Sequence, residues 1–392
     1  MLRSIEISRK ADGADLRQCL YAAAFLVPGV IDVSYRDGIW EFALESSIDE
    51  SLLTSRLDAL ITRYSAPASE PKKVFELAPV DGQQFPGLPS ELAGVTRISQ
   101  GLDIYSGLLS RLVRFLDDAI LRRFAPSFKP IEETYPNVIP IESLWRANHL
   151  SGFPEHLHLV SHLESDVESL DAFATRARQF KVEAISHDDS PQAASLLAHN
   201  PSTCYHCYAL RAGRDIGPDQ AITAITRCHR YEAINHRQPG RLLEFSMREI
   251  IFLGTPDYVR ATRVRSLELV EQMVSDWSLY GTLVTANDPF FSSDFSNKAG
   301  QQHRLAMKYE YKADLPPHQS ISVLSSNLHG PTFSKAFGIT QGRHPINTGC
   351  IGFGLERIAL ALIAQHGDDV TTWPAALNAE YMRWHAADPL ST

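Results

Sequence analysis

Arg230 and Glu232 lie two residues apart in HRYEAINHRQPGRLLEFSMREI, where two apolar runs flank a polar loop. Guanidinium groups suit phosphate, because their fork meets two oxygens at once. The first run reads as a strand that turns Arg230 and Glu232 to one face. On the second run the adjacent Arg248 and Glu249 turn to opposite faces. A solvated hairpin with surface charges accounts for this stretch equally well. Roughly 120 residues on, NTGCIGFGLERIALAL sets Gly349, Gly352 and Gly354 ahead of Arg357, which opens an apolar helix. The glycines read as a turn that lets backbone lie close to a flat group, a common arrangement when taken alone. Cys350 sits in that turn. As a thiolate it would ligate a soft metal, and as a buried thiol it would be a small hydrophobe. Cys204 and Cys207 bracket His206 as half of a structural zinc pattern, but the chain holds no second C-x-x-C pair. Cys207 and Cys228 therefore read as packing residues, and His229, His236 and His329 stay open between structural and functional roles.

The elements that must position these residues follow from periodicity. Strands are predicted in ITAITRCHRYEAI, RLLEFSMREIIFLG, YGTLVTAND, LAMKYEYKADLP and SISVLSSNLHG, with long helices near 256–277 and 353–366. Hairpin-linked strands in one block mean an antiparallel sheet backed by helices. The lack of a βαβ series and of an early G-x-G-x-x-G argues against a Rossmann fold. A further helix is predicted over 101–125 and an amphipathic one near 164–180. Residues 1–64 read as a small βαββα unit, with Asp37–Gly38 at a hairpin turn and KKVFEL as a completing strand, which suggests a ferredoxin-like module. The expected division is an N-terminal module over 1–80, a Pro/Ser/Gly-rich linker over 81–94 and a main domain over 95–392.

Composition narrows the class. A chain of 392 residues with 44% hydrophobic and 21% charged residues is ordinary globular protein. Its 46 acidic against 37 basic residues give a net charge of −9, which argues against a dedicated nucleic-acid binder. Five cysteines are too few, and odd in number, for a disulfide framework, so a reducing cytosol is expected. The start MLRSIEISRK lacks a signal peptide's apolar run, and CLYAAAFLVPGVI is too short to span a bilayer. A cytoplasmic protein with no membrane association is expected.

Taken together, HRYE, the loop, EFSMREI and the later GCIGFGLERIALAL resemble motifs 2 and 3 of class II aminoacyl-tRNA synthetases. The helix 101–125 followed by YPNVIP resembles motif 1, with Pro136 or Pro140 as its proline. NDPFF (287–291), SSNLHGPTFSKAFGI (325–339) and EFSMREIIFLG are similar to zinc-dependent archaeal seryl-tRNA synthetases, and more so to their shortened paralogues, the amino acid:[carrier protein] ligases. The resemblance covers about 95–392. It implies an α+β fold with a class II antiparallel sheet flanked by helices, and a homodimer. It implies zinc held by Cys204, Glu249 and Cys350, an open position for the substrate's α-amino group, and substrate contacts from Glu249 and Asn327. Three protein ligands are the pattern of a catalytic zinc rather than a closed structural one. By the same resemblance, Arg230 holds the α-phosphate of ATP and the substrate carboxylate, and Glu232 accepts from the adenine amino group. Arg241 and Arg357 hold the outer phosphates, with magnesium bridging them. Leu242, Lys308 and the strand residues Ile321, Ser322, Val323 and Leu324 line the nucleotide pocket. The implied activity is ATP-dependent activation of a small amino acid and its transfer to a phosphopantetheine thiol on a carrier protein. No coiled-coil arm for tRNA is present in the sequence, so tRNA is expected not to be the acceptor. The helix near 164–180 falls where those ligases carry a partner-docking helix. tRNA charging, with residues 1–80 reading tRNA, and a non-catalytic paralogue that binds an amino acid or nucleotide are the alternatives. The intact Arg230, Glu232 and Arg357 set weighs against the latter.

Overall fold

The computed structural model describes residues 3–11, 14–45, 48–64, 71–89, 92–178, 196–286, 307–316 and 319–390. Its centre is an eight-stranded sheet. In spatial order the strands are Lys73–Leu77, Gly281–Ala286, Lys308–Leu315, Gln319–Gly330, Asn347–Gly354, Glu244–Gly254, Gln220–His229 and Ile131–Glu132. Neighbours pair antiparallel except at the last edge, where Ile131–Glu132 runs parallel to Gln220–His229. This is the expected α+β architecture.

Both faces of the sheet centre are covered, so its strands are apolar along most of their length rather than alternating. Ile250, Phe252, Ile351 and Phe353 face a core shared with the helices Gly107–Phe128, Pro256–Asp276 and Leu355–His366. Ile251, Leu253 and Cys350 face a second core, with Tyr205, Cys207 and Tyr208 of the short helix Cys204–Leu210. The long helix Gly107–Phe128 buries Leu109, Leu112, Phe115, Leu116, Ala119, Ile120 and Phe124, a stripe at helical spacing. It starts later than predicted, because Leu102–Tyr105 is instead a strand paired with Val95–Ser99. Arg248, on the helix-covered face of the sheet, forks onto Asp117 of this helix at 2.6 and 2.8 Å.

Two expectations are corrected. Residues 347–354 are a central strand and not a turn, because its glycines serve close packing: a Cβ at Gly349 would stand 2.8 Å from the Asn327 carbonyl oxygen on the neighbouring strand. Lys73–Leu77 does not complete the N-terminal sheet. It pairs with Gly281–Ala286 and becomes an edge of the large sheet. The N-terminal sheet keeps three strands, Arg3–Ser8, Ile39–Leu44 and Val30–Arg36, with Ile39–Leu44 in the middle. Its core gathers Trp40, Phe42, Leu53 and Leu57 under the helices Leu16–Ala23 and Glu50–Arg63. Asp37 and Gly38 both take positive φ, 50° and 85°, as a tight two-residue hairpin turn requires.

Candidate active site

Cys204 opens a helix, Glu249 lies on the strand Glu244–Gly254, and Cys350 lies on the strand beside it. Register brings them together. Cys350 pairs with Ile251 and Gly352 with Glu249, so Cys350 and Glu249 point to the same face of the sheet. The ligand atoms of Cys204, Glu249 and Cys350 lie within 4.8 Å of one another, and all three side chains are buried. No other trio of such ligands is that close among the described residues. A Cβ at Gly352 would stand 3.3 Å from Cγ of Glu249, so this glycine makes the room that the carboxylate occupies. Ser202 Oγ donates to Glu249 Oε1 at 3.2 Å and lies 3.4 Å from Cys204 Sγ. Asn327 Nδ2 donates to Cys350 Sγ at 3.5 Å.

The electrostatics of this cluster would suit a bound cation. Contact with Cys350, reinforced by burial, holds the Cys204 thiol well above its ordinary value. The Cys204 contact pulls Cys350 down, but burial and Glu249 outweigh it and Cys350 also rises. Burial pushes the Glu249 carboxyl up against the hydrogen bonds it accepts, and its Oε2 is buried without a hydrogen-bond partner. Three acids that resist ionising together in a dry pocket ionise readily around a divalent ion. Two sulfurs and one oxygen suit zinc, and three protein ligands would leave a fourth position of a tetrahedral ion open. The residues therefore fit the metal. Cys207 lies apart, against Arg211, and Cys228 lies against Thr226.

A second cluster forms where the hairpin strands end. The strand Gln220–His229 stops before Arg230, and Glu232 precedes a short 3-10 turn, Ala233–Arg237. Arg230 and Glu232 are therefore not two positions on one strand face, as their spacing suggested. The strand has ended before either of them, and the chain turns just after Glu232, with Ala233 at a φ of 48°. Arg230 Nε donates to the Pro201 carbonyl at 3.0 Å, and its guanidinium lies over Phe245. Arg241 donates to Glu232 Oε2 and, at 2.7 Å, to Gln238 Oε1. Burial alone would raise the Glu232 carboxyl, but Arg241 and Arg357 outweigh it and hold it at about 2. Arg357 Nε donates to the Gly240 carbonyl at 2.8 Å and Nη1 to the Ser322 carbonyl at 3.0 Å. Burial, with Arg241 beside it, brings Arg357 down to about 10, so it stays charged at neutral pH. Gly240 is required there: its φ is 69°, and a Cβ would collide with Ile321 at 2.5 Å.

Arg230, Glu232, Arg241 and Arg357 thus share one basin, with Leu242 buried beside it. Ile321, Ser322, Val323 and Leu324 form the neighbouring strand, and Lys308 Nζ pairs with Glu310 at 3.0 Å on the next. Asn327 belongs with the sulfur cluster. Residues 287–291 lie outside the described residues. Sequence reasoning missed Ser202, Gly240 and Tyr21. Ser202 stands two residues before Cys204, a signal available to inspection. Tyr21 comes from the N-terminal unit and had no local signal.

No protein-family model matches the chain. It is 31% identical over 251 residues to amino acid--[acyl-carrier-protein] ligase 2 of Bradyrhizobium diazoefficiens, covering 62% of this chain and 72% of that protein. To the type-2 serine--tRNA ligase of Methanocaldococcus jannaschii it is 24% identical over 327 residues, covering 80% and 60%. The crystal structure of M. kandleri SerRS in complex with A. aeolicus tRNASec superposes with a TM-score of 0.66 at 21% identity, over 98% of this chain and 78% of that one. The fold is that of a class II aminoacyl-tRNA synthetase. Within that class, the chain belongs to the family of the amino acid--[acyl-carrier-protein] ligases and is a ligase.

Proposed function

We propose that the protein activates a small amino acid with ATP and passes it to the phosphopantetheine thiol of a carrier protein. The observation that carries this reading is the pairing of two clusters on one hairpin: a guanidinium-rich basin where its strands end, and a Cys–Glu–Cys trio one strand over. In the first step a substrate carboxylate oxygen bonds to the α-phosphorus, and the bond to the bridging oxygen breaks to release pyrophosphate. Arg230 meets the α-phosphate and carboxylate, Arg241 and Arg357 meet the outer phosphates with magnesium, and Glu232 accepts from the adenine amino group. Leu242, Lys308 and the segment Ile321, Ser322, Val323 and Leu324 complete the nucleotide wall. Fixed positive charge where phosphate charge develops is the main catalytic resource. In the second step the thiol sulfur bonds to the acyl carbon, AMP leaves, and the thiol proton is released.

Cys204, Glu249 and Cys350 hold zinc in this reading, and the bound ion supplies a Lewis-acidic position for the unprotonated α-amino group. Asn327 borders that position. Its far side is closed by His329, which lies 4.0 Å from Cys350 Sγ and is braced by Tyr208 and Thr348 at 3.3 Å each. That closure favours a small side chain. The exposed Ile131 on the short edge strand offers an edge to a second copy, in keeping with a homodimer. No helix of the described residues is long and apolar enough to cross a membrane.

A second reading, tRNA charging, is favoured by the likeness to a seryl-tRNA synthetase over 98% of this chain, N-terminal unit included. ATP–pyrophosphate exchange across the amino acids, followed by intact-mass analysis of holo-carrier protein beside a tRNA-charging assay, tests both. We expect exchange with a small amino acid, a thioester on the carrier and no charged tRNA. Arg357→Ala should lower exchange about 10²–10³-fold, the loss of roughly 2.7–4 kcal/mol of transition-state stabilisation. Efficient tRNA charging without a thioester would reverse the ranking.

A further inference from the structure

The loop between the hairpin strands is seated on the N-terminal unit, and Tyr21 is the centre of the contact. The Tyr21 carbonyl accepts from Asn235 Nδ2 at 3.2 Å, and its hydroxyl lies 3.1 Å from His156 Nε2. The Arg241 guanidinium sits over the Tyr21 ring, 5.6 Å from its centroid. Around this, Phe25 meets Tyr231 edge-on and Ile234 packs against the N-terminal core. Arg241 is thus held from three sides: Glu232, Gln238 and the aromatic face. An arginine side chain ordered in this way has lost most of its rotamer freedom before any ligand arrives.

We propose that Tyr21 is a positioning residue for Arg241, so that the N-terminal unit forms the outer wall of the nucleotide site and sets its affinity for the outer phosphates. This rests on the reading above, in which Arg241 meets those phosphates. The contact explains what a unit with its own core, remote in sequence, contributes to a basin built by the large sheet. His156 fixes the phenol from the catalytic side, so the ring cannot swing away from the guanidinium without breaking that contact. The consequence is selective: Tyr21 should matter for the triphosphate and not for the nucleoside end, which Glu232 addresses.

The test is calorimetric titration of the full chain with ATP and, separately, with AMP. The variants are Tyr21→Leu, which keeps apolar bulk, Tyr21→Phe, which keeps the ring, and Asp58→Ala. The last breaks the exposed Arg9–Asp58 pair elsewhere in the same unit. Tyr21→Leu should raise the Kd for ATP about tenfold and leave that for AMP unchanged. Tyr21→Phe, which keeps the ring but loses the tie to His156, should fall between wild type and Tyr21→Leu, and Asp58→Ala should match the wild type. Pyrophosphate exchange should show the same rise in KM for ATP without a rise for the amino acid. An unchanged ATP affinity in Tyr21→Leu, or equal weakening of ATP and AMP, overturns the proposal while leaving the adenylation reading intact. ATP binding that depends on Tyr21 in a protein without exchange on any amino acid upholds the positioning role and overturns adenylation. A wild type that binds no ATP overturns both.

Discussion

Ser202 binds none of the proposed ligands itself, yet it touches two of the three metal-ligand candidates, Glu249 and Cys204. Groups that orient metal ligands are worth about 10–100-fold in affinity. Ser202→Ala should therefore weaken zinc binding by that factor, read by competition with a chromophoric chelator, while the fold stays intact by circular dichroism. Glu155 offers a different measurement. Its side chain is 3% exposed, and neither carboxylate oxygen has a hydrogen-bond partner. Burial, with Glu232 nearby, lifts it from 4.5 to about 7. The folded state then keeps a proton that the unfolded state releases. Its contribution is complete below about 4.5 and is lost as pH rises towards 7, on the order of 3 kcal/mol. Urea unfolding at pH 5 and 7.5 should show Glu155→Gln to be insensitive to that loss, relative to wild type. Of the residues in these clusters, the sulfur and arginine positions were legible through their spacing and resemblance. Glu155 and Tyr21 were not, because their neighbours come from segments far away in the chain.

At the scale of elements, Arg248 joins the central strand to the helix Gly107–Phe128 through Asp117. Arg248 is nearly fully buried, so removing Asp117 leaves its charge with only the Thr223 hydroxyl at 3.3 Å and the distant Glu132 carboxylate at 3.8 Å. Asp117→Ala should cost about 3–5 kcal/mol, measured by denaturant unfolding. Arg248→Met should cost less, since it also removes the charge. Strands and helices were legible wherever periodicity was strong, as in Glu244–Gly254 and Pro256–Asp276. The strand Asn347–Gly354 was misread because glycine signals turns, and here its purpose is closeness to Asn327 and Glu249. The strand Lys73–Leu77 was misassigned because sequence order favours the nearer sheet, whereas its partner Gly281–Ala286 lies some 200 residues on.

For the molecule as a whole, the two half-reactions should be separable. The helix Val167–Ala177 buries none of its side chains, and Val167 and Leu170 stand exposed one turn apart. This helix falls where the resemblance puts a partner-docking helix, so the proposed transfer to a carrier protein is tested at this stripe. Val167→Asp combined with Leu170→Asp should leave pyrophosphate exchange unchanged and raise the KM for holo-carrier about tenfold, roughly 1.4 kcal/mol. Loss of exchange in that variant would place the helix in the adenylation step instead. The strand Glu244–Gly254 has a further consequence. Five residues, at roughly 3.4 Å each, separate its start at Glu244 from Glu249, and pairing with Gln220–His229 along the whole interval, joined from Met247 by Asn347–Gly354, fixes it. In the proposed reading, the distance from the amine site to the phosphate site is therefore set by backbone and not by side chains. Residues around His329 can change in size to admit another substrate without disturbing it. A single inserted residue between Glu244 and Glu249 would not merely lengthen the interval. It would turn the carboxylate through the sheet into the helix-covered core where Arg248 now points, so this gauge tolerates substitution but not insertion.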